Sequence, residues 1–169
     1  MNNITMTNII LLLAATTTAL IAGLFYAYSC SVNIGLGRLP DREYIAAMQS
    51  INRTIQNPLF FASFMGTLIL LPLSAYLHYP LPLQGKFLLL LIAAVVYAIG
   101  VFGVTIFGNV PLNNALDNFN LQTASVNEIA NQRIKFEQPW LLLHNIRTVC
   151  SVVCLLLTLV GVSMNSSST

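Results

Sequence analysis

Residues 87–107 have the sequence FLLLLIAAVVYAIGVFGVTIF, a stretch without a single charged side chain. A helix needs roughly 20 apolar residues to cross the hydrocarbon core of a bilayer. Comparable apolar runs occupy residues 4–31, 59–77 and 140–164, and Arg147 is the one Lys, Arg, Asp or Glu in all four runs. The pattern predicts an all-α membrane protein whose four transmembrane helices form an antiparallel bundle.

The composition agrees with this fold class. The chain has 169 residues, of which 56% are hydrophobic and 7% are charged, whereas about 25% of the residues in a soluble domain are charged. We therefore expect a single membrane domain over residues 1–169, surrounded by a lipid bilayer. The net charge of +2 is too small to indicate a nucleic-acid partner.

The connections between the apolar runs differ in length. Residues 77–86 form a short turn, whereas residues 32–57 and 108–138 are long connections that must lie at the same end of a four-span bundle. We call this end the long-loop end. Both long connections are expected to contain short interfacial helices. In the first, Pro40 suits a first-turn position, and apolar residues then recur at helical spacing: Tyr44, Met48, Ile51 and Ile55.

Several residues predict where helices begin. Asn109 is expected to cap a short helix in the second long connection. Ser125 and Glu128 have the spacing of a capping box, and Pro139 is expected to begin the last span. Asn57-Pro58 is the corresponding signal before the second span.

Three residues of the last span form a candidate site. Trp140, His144 and Arg147 are spaced i, i+4 and i+7, so they share one face of the helix. Arg147 lies roughly 12 Å into the span at about 1.5 Å per residue. A cation so deep costs at least about 2.5 kcal/mol unless it is paired or hydrated, which makes Arg147 a candidate functional residue. Asp117 is its expected partner, with Asp41 or Glu43 as alternatives.

Amide and charged side chains from the two long connections are candidate ligand contacts, because amides supply both donors and acceptors without charge. Asn109, Asn113 and Asp117 recur every four residues, and Asn52 and Arg53 come from the other connection. Capping and turn formation are the alternative roles for asparagine. Phe25, Tyr26 and Tyr28 end the first span at the same end, either stacking on a flat ligand or forming an interfacial aromatic belt.

The sequence does not favour a metal or a haem. His78 and His144 are the only histidines, and the predicted spans place them at opposite ends of the bundle, roughly 30 Å apart. They cannot bind one ion together or coordinate one haem. We expect neither a metal nor a cofactor, and a haem with His144 as its sole axial ligand is the alternative.

Four segments of the chain resemble the small membrane proteins grouped with the anthrone oxygenases. They are residues 35–44 (GLGRLPDREY), 48–53 (MQSINR) together with Asn57-Pro58, 108–114 (GNVPLNN) and 140–147 (WLLLHNIR). The resemblance implies oxidation of an anthrone to an anthraquinone by O₂ without a metal or a flavin. The partners would be a small hydrophobic aromatic molecule and O₂.

The resemblance and the residues together suggest roles for the candidate site. His144 would be the general base. Arg147, Asn109 and Asn113 would stabilise an oxyanion, and Trp140 would stack on a flat polycycle. Two alternatives remain: a non-enzymatic protein that binds or carries a small apolar molecule, and a structural membrane subunit. The oligomeric state, including a homo-oligomer, is open.

Basic residues predict the orientation of the protein in its membrane. The long-loop end carries most of them, and Lys86 is at the other end. The positive-inside rule then places the long loops in the cytoplasm and both termini on the opposite side. The basic residues at the long-loop end are Arg38, Arg42, Arg53, Arg133 and Lys135.

Cysteine labelling tests this topology. In a variant without native cysteines, Ser166→Cys and Asn120→Cys should react with a membrane-impermeant maleimide from opposite sides of sealed vesicles, with Asn120→Cys on the cytoplasmic side. Equal labelling of both positions from one side would contradict the four-span topology.

Overall fold

The computed structural model describes residues 5–79 and 85–164, and every regular element within these residues is a helix. The predicted turn at residues 77–86 lies partly outside them, as does Ile4 at the start of the first apolar run. Four helices are long and apolar enough to span a membrane: Met6–Gly37, Pro58–Leu77, Gly85–Asp117 and Val126–Ser163. The chain is therefore an all-α, multi-pass membrane protein, as its apolar runs predict.

The four long helices are not uniform. The first comprises α1 (Met6–Ala27), a π-helical segment (Tyr28–Val32) and α2 (Asn33–Gly37). The second is α4 (Pro58–Leu77), and the fourth is α7 (Val126–Ser163). The third comprises α5 (Gly85–Val96), two π-helical segments (Tyr97–Gly103 and Thr105–Asn109) and α6 (Val110–Asp117). The remaining helix, α3 (Asp41–Thr54), lies in the first long connection.

Two predicted helix starts are confirmed. The Asn57 side chain accepts hydrogen bonds from the backbone N–H groups of Leu59 and Phe60 at 3.0 and 3.1 Å, and Pro58 is the first residue of α4. Ser125 and Glu128 form the predicted capping box at the start of α7. The Glu128 carboxylate accepts the backbone N–H of Ser125 at 2.8 Å.

Two other predicted helix starts are wrong. Asn109 has helical backbone angles and makes no capping hydrogen bond, because the third long helix continues through it. Pro139 lies inside α7 instead of beginning a new helix. Phe136 and Trp140 on either side of Pro139 are both buried in one cluster. Their packing therefore maintains the helix across a proline, a residue that often ends one. Pro40 also lies one position earlier than expected, as the residue before α3.

The bundle core lies where α1, α4, α5 and α7 meet. Its buried side chains include Ile21, Phe64, Leu71, Tyr97 and Cys154. Small residues repeat every four positions along the first helix, and such repeats often mark close helix packing. Here the repeat lies outside the core, because Ala15 alone is buried and the other four positions are exposed: Ala19, Gly23, Ala27 and Ser31.

The two long connections pack on each other at the long-loop end. Arg133 of α7 joins them by donating to the carbonyl oxygen of Leu39 at 2.7 Å and to the carboxylates of Asp41 at 3.0 Å and Glu137 at 2.7 Å. Its guanidinium also lies 4.4 Å from the centre of the Tyr44 ring. Burial raises the pKa of the Tyr44 phenol, so the ring that faces the guanidinium is neutral. The contacts of Arg133 hold α3 on α7.

Gly100 provides a test of the helix packing. A Cβ atom at this position would overlap both Sγ and Cβ of Cys150. We expect Gly100→Ala to lower the free energy of unfolding by about 1–3 kcal/mol, because overpacking forces the helices apart. Cys150→Ala should restore part of this loss. Gly23→Ala is the control, since a Cβ there meets nothing within 4 Å; equal thermal shifts in detergent for the two glycine variants would contradict the packing.

Candidate functional site

A cavity of about 450 Å³ lies inside the long-loop end of the bundle. Its walls are mainly aromatic and aliphatic, as in most small-molecule sites, and a few polar groups converge on it. The lining residues come from five helices or helix continuations: Leu24, Phe25, Tyr28, Ile51, Asn52, Ile55, Gln56, Phe60, Phe61, Phe64, Thr105, Ile106, Val110, Asn113, Asn114, Trp140, His144 and Arg147.

Arg147 is the most unusual of these residues, because its side chain is buried without a carboxylate partner. The residue is 6% exposed, and Nη1 donates a long hydrogen bond of 3.4 Å to Thr105 Oγ1. The Nε–H group is buried and has no hydrogen-bond partner among the residues that the structure describes. The guanidinium lies 4.6 Å from the Phe25 ring centre and 5.6 Å from that of Trp140. The cation is thus stabilised by two aromatic faces, one hydroxyl oxygen and the neighbouring imidazole nitrogen of His144, and its Nε–H group remains unsatisfied.

His144 sits beside Arg147 in a defined hydrogen-bond network. Arg147 Nη2 lies 3.2 Å from His144 Nδ1, and since a guanidinium only donates, Nδ1 accepts. His144 Nε2 lies 3.0 Å from Ser29 Oγ, which lies 3.1 Å from Thr148 Oγ1. Thr148 in turn donates to the His144 carbonyl at 2.9 Å. This chain is satisfied throughout if His144 is neutral and carries its proton on Nε2, an assignment inferred from its partners.

Trp140 forms a fixed aromatic wall next to this network. Its indole is parallel to the His144 imidazole, with an interplanar angle of 5° and ring centres 5.0 Å apart. Its Nε1–H group donates to Asn113 Oδ1 at 2.8 Å. The orientation of the indole is therefore set from two sides.

The structure brings most of the predicted site residues together. His144, Arg147, Trp140, Asn113 and Asn52 all line the cavity. The Asn52 Nδ2 group is buried and has no partner, so a second donor is available beside the cavity. These residues come from three helices, α3, α6 and α7, yet they line one cavity.

Asn109 does not line the cavity but lies behind Trp140. It is 1% exposed, and its Nδ2 group donates to the Trp140 carbonyl at 3.4 Å. The Asn109 Oδ1 atom has no partner. Asn109 therefore contacts the backbone that carries the aromatic wall, and a direct role in binding an oxyanion does not follow from its position.

The expected pair between Arg147 and Asp117 is wrong. Asp117 binds Arg53 instead, with 2.6 Å between Arg53 Nε and Asp117 Oδ1, and both line a separate exposed cleft. Thr105 contacts Arg147 and therefore lies at the same depth in the bundle. Asp117 is twelve residues beyond Thr105 on the same long helix, roughly 18 Å from it at about 1.5 Å per residue. The alternative partner Asp41 is also occupied, because it binds Arg133.

The aromatic residues at the end of the first span divide between the two predicted roles. Phe25 and Tyr28 line the cavity, whereas Tyr26 is 61% exposed on the outside of the bundle. Ser29, Thr105 and Thr148 have no role in the sequence-based prediction, although they contact His144 and Arg147. Hydroxyl residues are frequent in these spans, and only the packing of the helices shows which of them reach the site.

Within residues 5–79 and 85–164, the structure contains no group of three or more His, Cys, Asp or Glu side chains that could hold a metal ion. The haem alternative would use His144, whose two ring nitrogens both contact protein atoms. A haem iron would have to displace either Ser29 or Arg147 from its hydrogen bond.

The fold and the cavity define a class of protein: a four-span membrane protein with a buried arginine–histidine pair in an aromatic cavity. The chain belongs to the anthrone oxygenase family, because the model of that family matches residues 59–157, more than half of the chain. Comparison with functionally curated proteins gives no match, and comparison with solved structures gives none either. The matched residues include Asn113, Trp140, His144 and Arg147, whereas Phe25, Ser29 and Asn52 lie outside them.

Arg147 allows a prediction about stability. We expect Arg147→Met to raise the free energy of unfolding by up to about 3 kcal/mol, because it removes a buried cation that has no carboxylate partner among the described residues. Arg133→Met is the matched control. It should lower the free energy of unfolding by about 1–3 kcal/mol, because it leaves acceptors of four residues without their donor: Gly37, Leu39, Asp41 and Glu137.

Thermal unfolding of both variants in the same detergent measures the difference. Large and equal losses of stability in the two variants would contradict the conclusion that Arg147 is kept at a cost to the fold.

Proposed function

We propose that this membrane protein is an oxidoreductase of the anthrone oxygenase type, which oxidises a flat phenolic or polycyclic substrate with O₂. The observation that carries the proposal is Arg147, a buried cation with an unsatisfied donor at the wall of an aromatic cavity. A buried charge is normally paired, and in this cavity the ligand itself can supply the missing anion. The preferred ligand is therefore an aromatic molecule that bears or develops a negative oxygen.

The cavity fits such a ligand in both shape and polarity. A phenolate oxygen would accept hydrogen bonds from Arg147 Nε and Nη2, a charge-assisted arrangement that a guanidinium favours. The aromatic body would lie among the rings of Phe25, Phe60 and Phe64, which line the same cavity. The free Nδ2 group of Asn52 offers a donor for a second oxygen of the substrate.

His144 is the proposed general base. Its Nδ1 lone pair accepts a hydrogen bond from Arg147, so the base is occupied before the substrate binds. A substrate oxyanion that attracts the guanidinium would release Nδ1 to take a proton. The hydrogen bond between Nε2 and Ser29 would keep the ring orientation and stabilise the imidazolium that forms.

The oxidation itself balances with O₂ as the only oxidant. The methylene of an anthrone loses one proton to His144, and the resulting delocalised phenolate passes one electron to O₂. Coupling of the two radicals forms a carbon–oxygen bond and, after protonation, a hydroperoxide. Loss of the second methylene proton breaks the O–O bond, which releases water and leaves the ketone. One anthrone and one O₂ thus give one anthraquinone and one water.

We propose that no cofactor takes part, and a haem on His144 remains the alternative. The ultraviolet–visible spectrum of the purified protein distinguishes them, since a haem would give an intense Soret band. A Soret band that is present in the wild type and absent from His144→Ala would reject the cofactor-free mechanism and support the haem mechanism.

Non-enzymatic binding is the second candidate function. The hydrogen bond that occupies His144 Nδ1 favours it, because a carrier needs the cation and the aromatic walls but no free base.

We also propose that the long-loop end, and with it the cavity, faces the cytoplasm, as the basic residues predict.

Substitution of His144 tests the enzymatic proposal. With emodin anthrone in detergent, after chelation and with correction for autoxidation, His144→Ala should lower O₂ consumption by about 10²–10⁴-fold, the usual contribution of a general base. Arg147→Lys should also reduce the rate, because an ammonium group cannot reproduce the planar set of guanidinium donors.

His78→Ala is the control. His78 lies at the other end of the bundle, where its Nδ1 atom is 2.8 Å from the Ser74 carbonyl oxygen, and its replacement should leave the rate unchanged. Wild-type rates no higher than those of His144→Ala would reject the oxygenase. If the wild type then bound emodin and Arg147→Met did not, the result would support the carrier.

A further inference from the structure

Two helices that line the cavity pack together at one end of the bundle and separate at the other. α4 contacts α5 and the segment Tyr97–Gly103, and the Tyr97 hydroxyl donates to the Phe64 carbonyl at 2.9 Å. Both α4 and residues 105–117 are fully described, and no Cα atom of one lies within 8 Å of a Cα atom of the other. The two helices therefore diverge on the long-loop side of Phe64.

Two apolar cavity residues are exposed on either side of this gap. Phe61 of α4 is 46% exposed and Ile106 is 39% exposed, although both line the cavity. Their neighbours Leu59 and Phe107 are each 84% exposed. Such a surface is unfavourable in water and is suited to lipid.

The position of the gap along the helix agrees with a lipid route. Ile106 lies twenty residues beyond Lys86, or roughly 30 Å at about 1.5 Å per residue, which is close to the thickness of the hydrocarbon core. With Lys86 at one membrane boundary, the gap falls near the other boundary. Amphipathic aromatic molecules collect at this depth, as tryptophan and tyrosine side chains do.

We propose that the cavity opens sideways into the bilayer between Phe61 and Ile106, and that its aromatic ligand enters from the lipid phase through this opening. The aromatic nature of the ligand rests on the proposed function. The competing route runs from water past Gln56 and Asn114, two exposed polar residues that also line the cavity.

The chain contains its own reporter for a test. Trp140 is the only tryptophan and is a wall of the cavity, so quenching of its fluorescence measures access to the cavity. The full-length protein is placed in phosphatidylcholine vesicles and titrated with two short-range quenchers. Bromobenzene dissolves in the lipid, whereas iodide stays in the water and would be drawn to Arg147 by any aqueous opening.

Three variants test the opening itself. Ile106→Phe should narrow the gap and lower the Stern–Volmer constant of bromobenzene several-fold, whereas Phe61→Ala should widen the gap and raise it. Ile99→Phe is the matched control, because Ile99 is on the same long helix, is 68% exposed and does not line the cavity. This control should quench as the wild type does, and an unchanged emission maximum without quencher verifies that each variant is folded.

The outcomes separate the route from the reaction. Stronger quenching by iodide than by bromobenzene would overturn the lipid route, and so would equal bromobenzene quenching in Ile106→Phe, Phe61→Ala and the wild type. Because quenching requires no turnover, a protein that shows the expected pattern but consumes no O₂ would retain the opening while the proposed function fails.

Discussion

The guanidinium of Arg147, buried in a membrane protein without a counterion, is the constraint on which the site depends. Hydration of this group is lost, and only a long hydrogen bond to Thr105, a shared lone pair of His144 and the faces of two aromatic rings replace it. These contacts leave Nε without an acceptor. Such an arrangement is poor for folding and good for binding, because a complementary anion gains most where the protein satisfies the cation least.

The surroundings of Arg147 follow from the need to hold a charge and a base close together. His144 can neighbour a guanidinium only as a neutral acceptor, and the hydroxyl groups of Ser29 and Thr148 stabilise that tautomer from the other side. Trp140 lies flat against the imidazole and is itself held by Asn113. Rotation of any one of these side chains would leave a polar group without a partner, so the network specifies a single arrangement.

The number of long helices and the fold class were predictable from the sequence, because the length of an apolar run is a strong local signal. The shared face of Trp140, His144 and Arg147 was also predictable, because a charged residue within an apolar span draws attention to its helical neighbours. Asn57 and Ser125 begin helices as their side chains predict. Pro139 does not, because packing of Phe136 and Trp140 outweighs a local preference, and Asn109 does not, because the third long helix continues through it. The pairing of Asp117 with Arg53 instead of Arg147 depends on the depth of each residue along its helix, and spacing in sequence alone does not reveal where a third long helix continues.

The π-helical segments have a consequence for the evolution of this family. Ser29 and Thr105 each lie within one, and a π-helical turn holds an additional residue relative to an α-helix. Loss of one residue from Tyr28–Val32 would restore α-helical geometry with the flanking segments almost unrotated, because a turn closed by an i→i+5 bond holds one residue more than an α-helical turn. It would instead displace the side chains of the turn itself, including Ser29. Alignments of relatives should therefore be inspected for single-residue gaps here, since such a gap separates proteins that retain the hydroxyl contact to the histidine from those that have lost it.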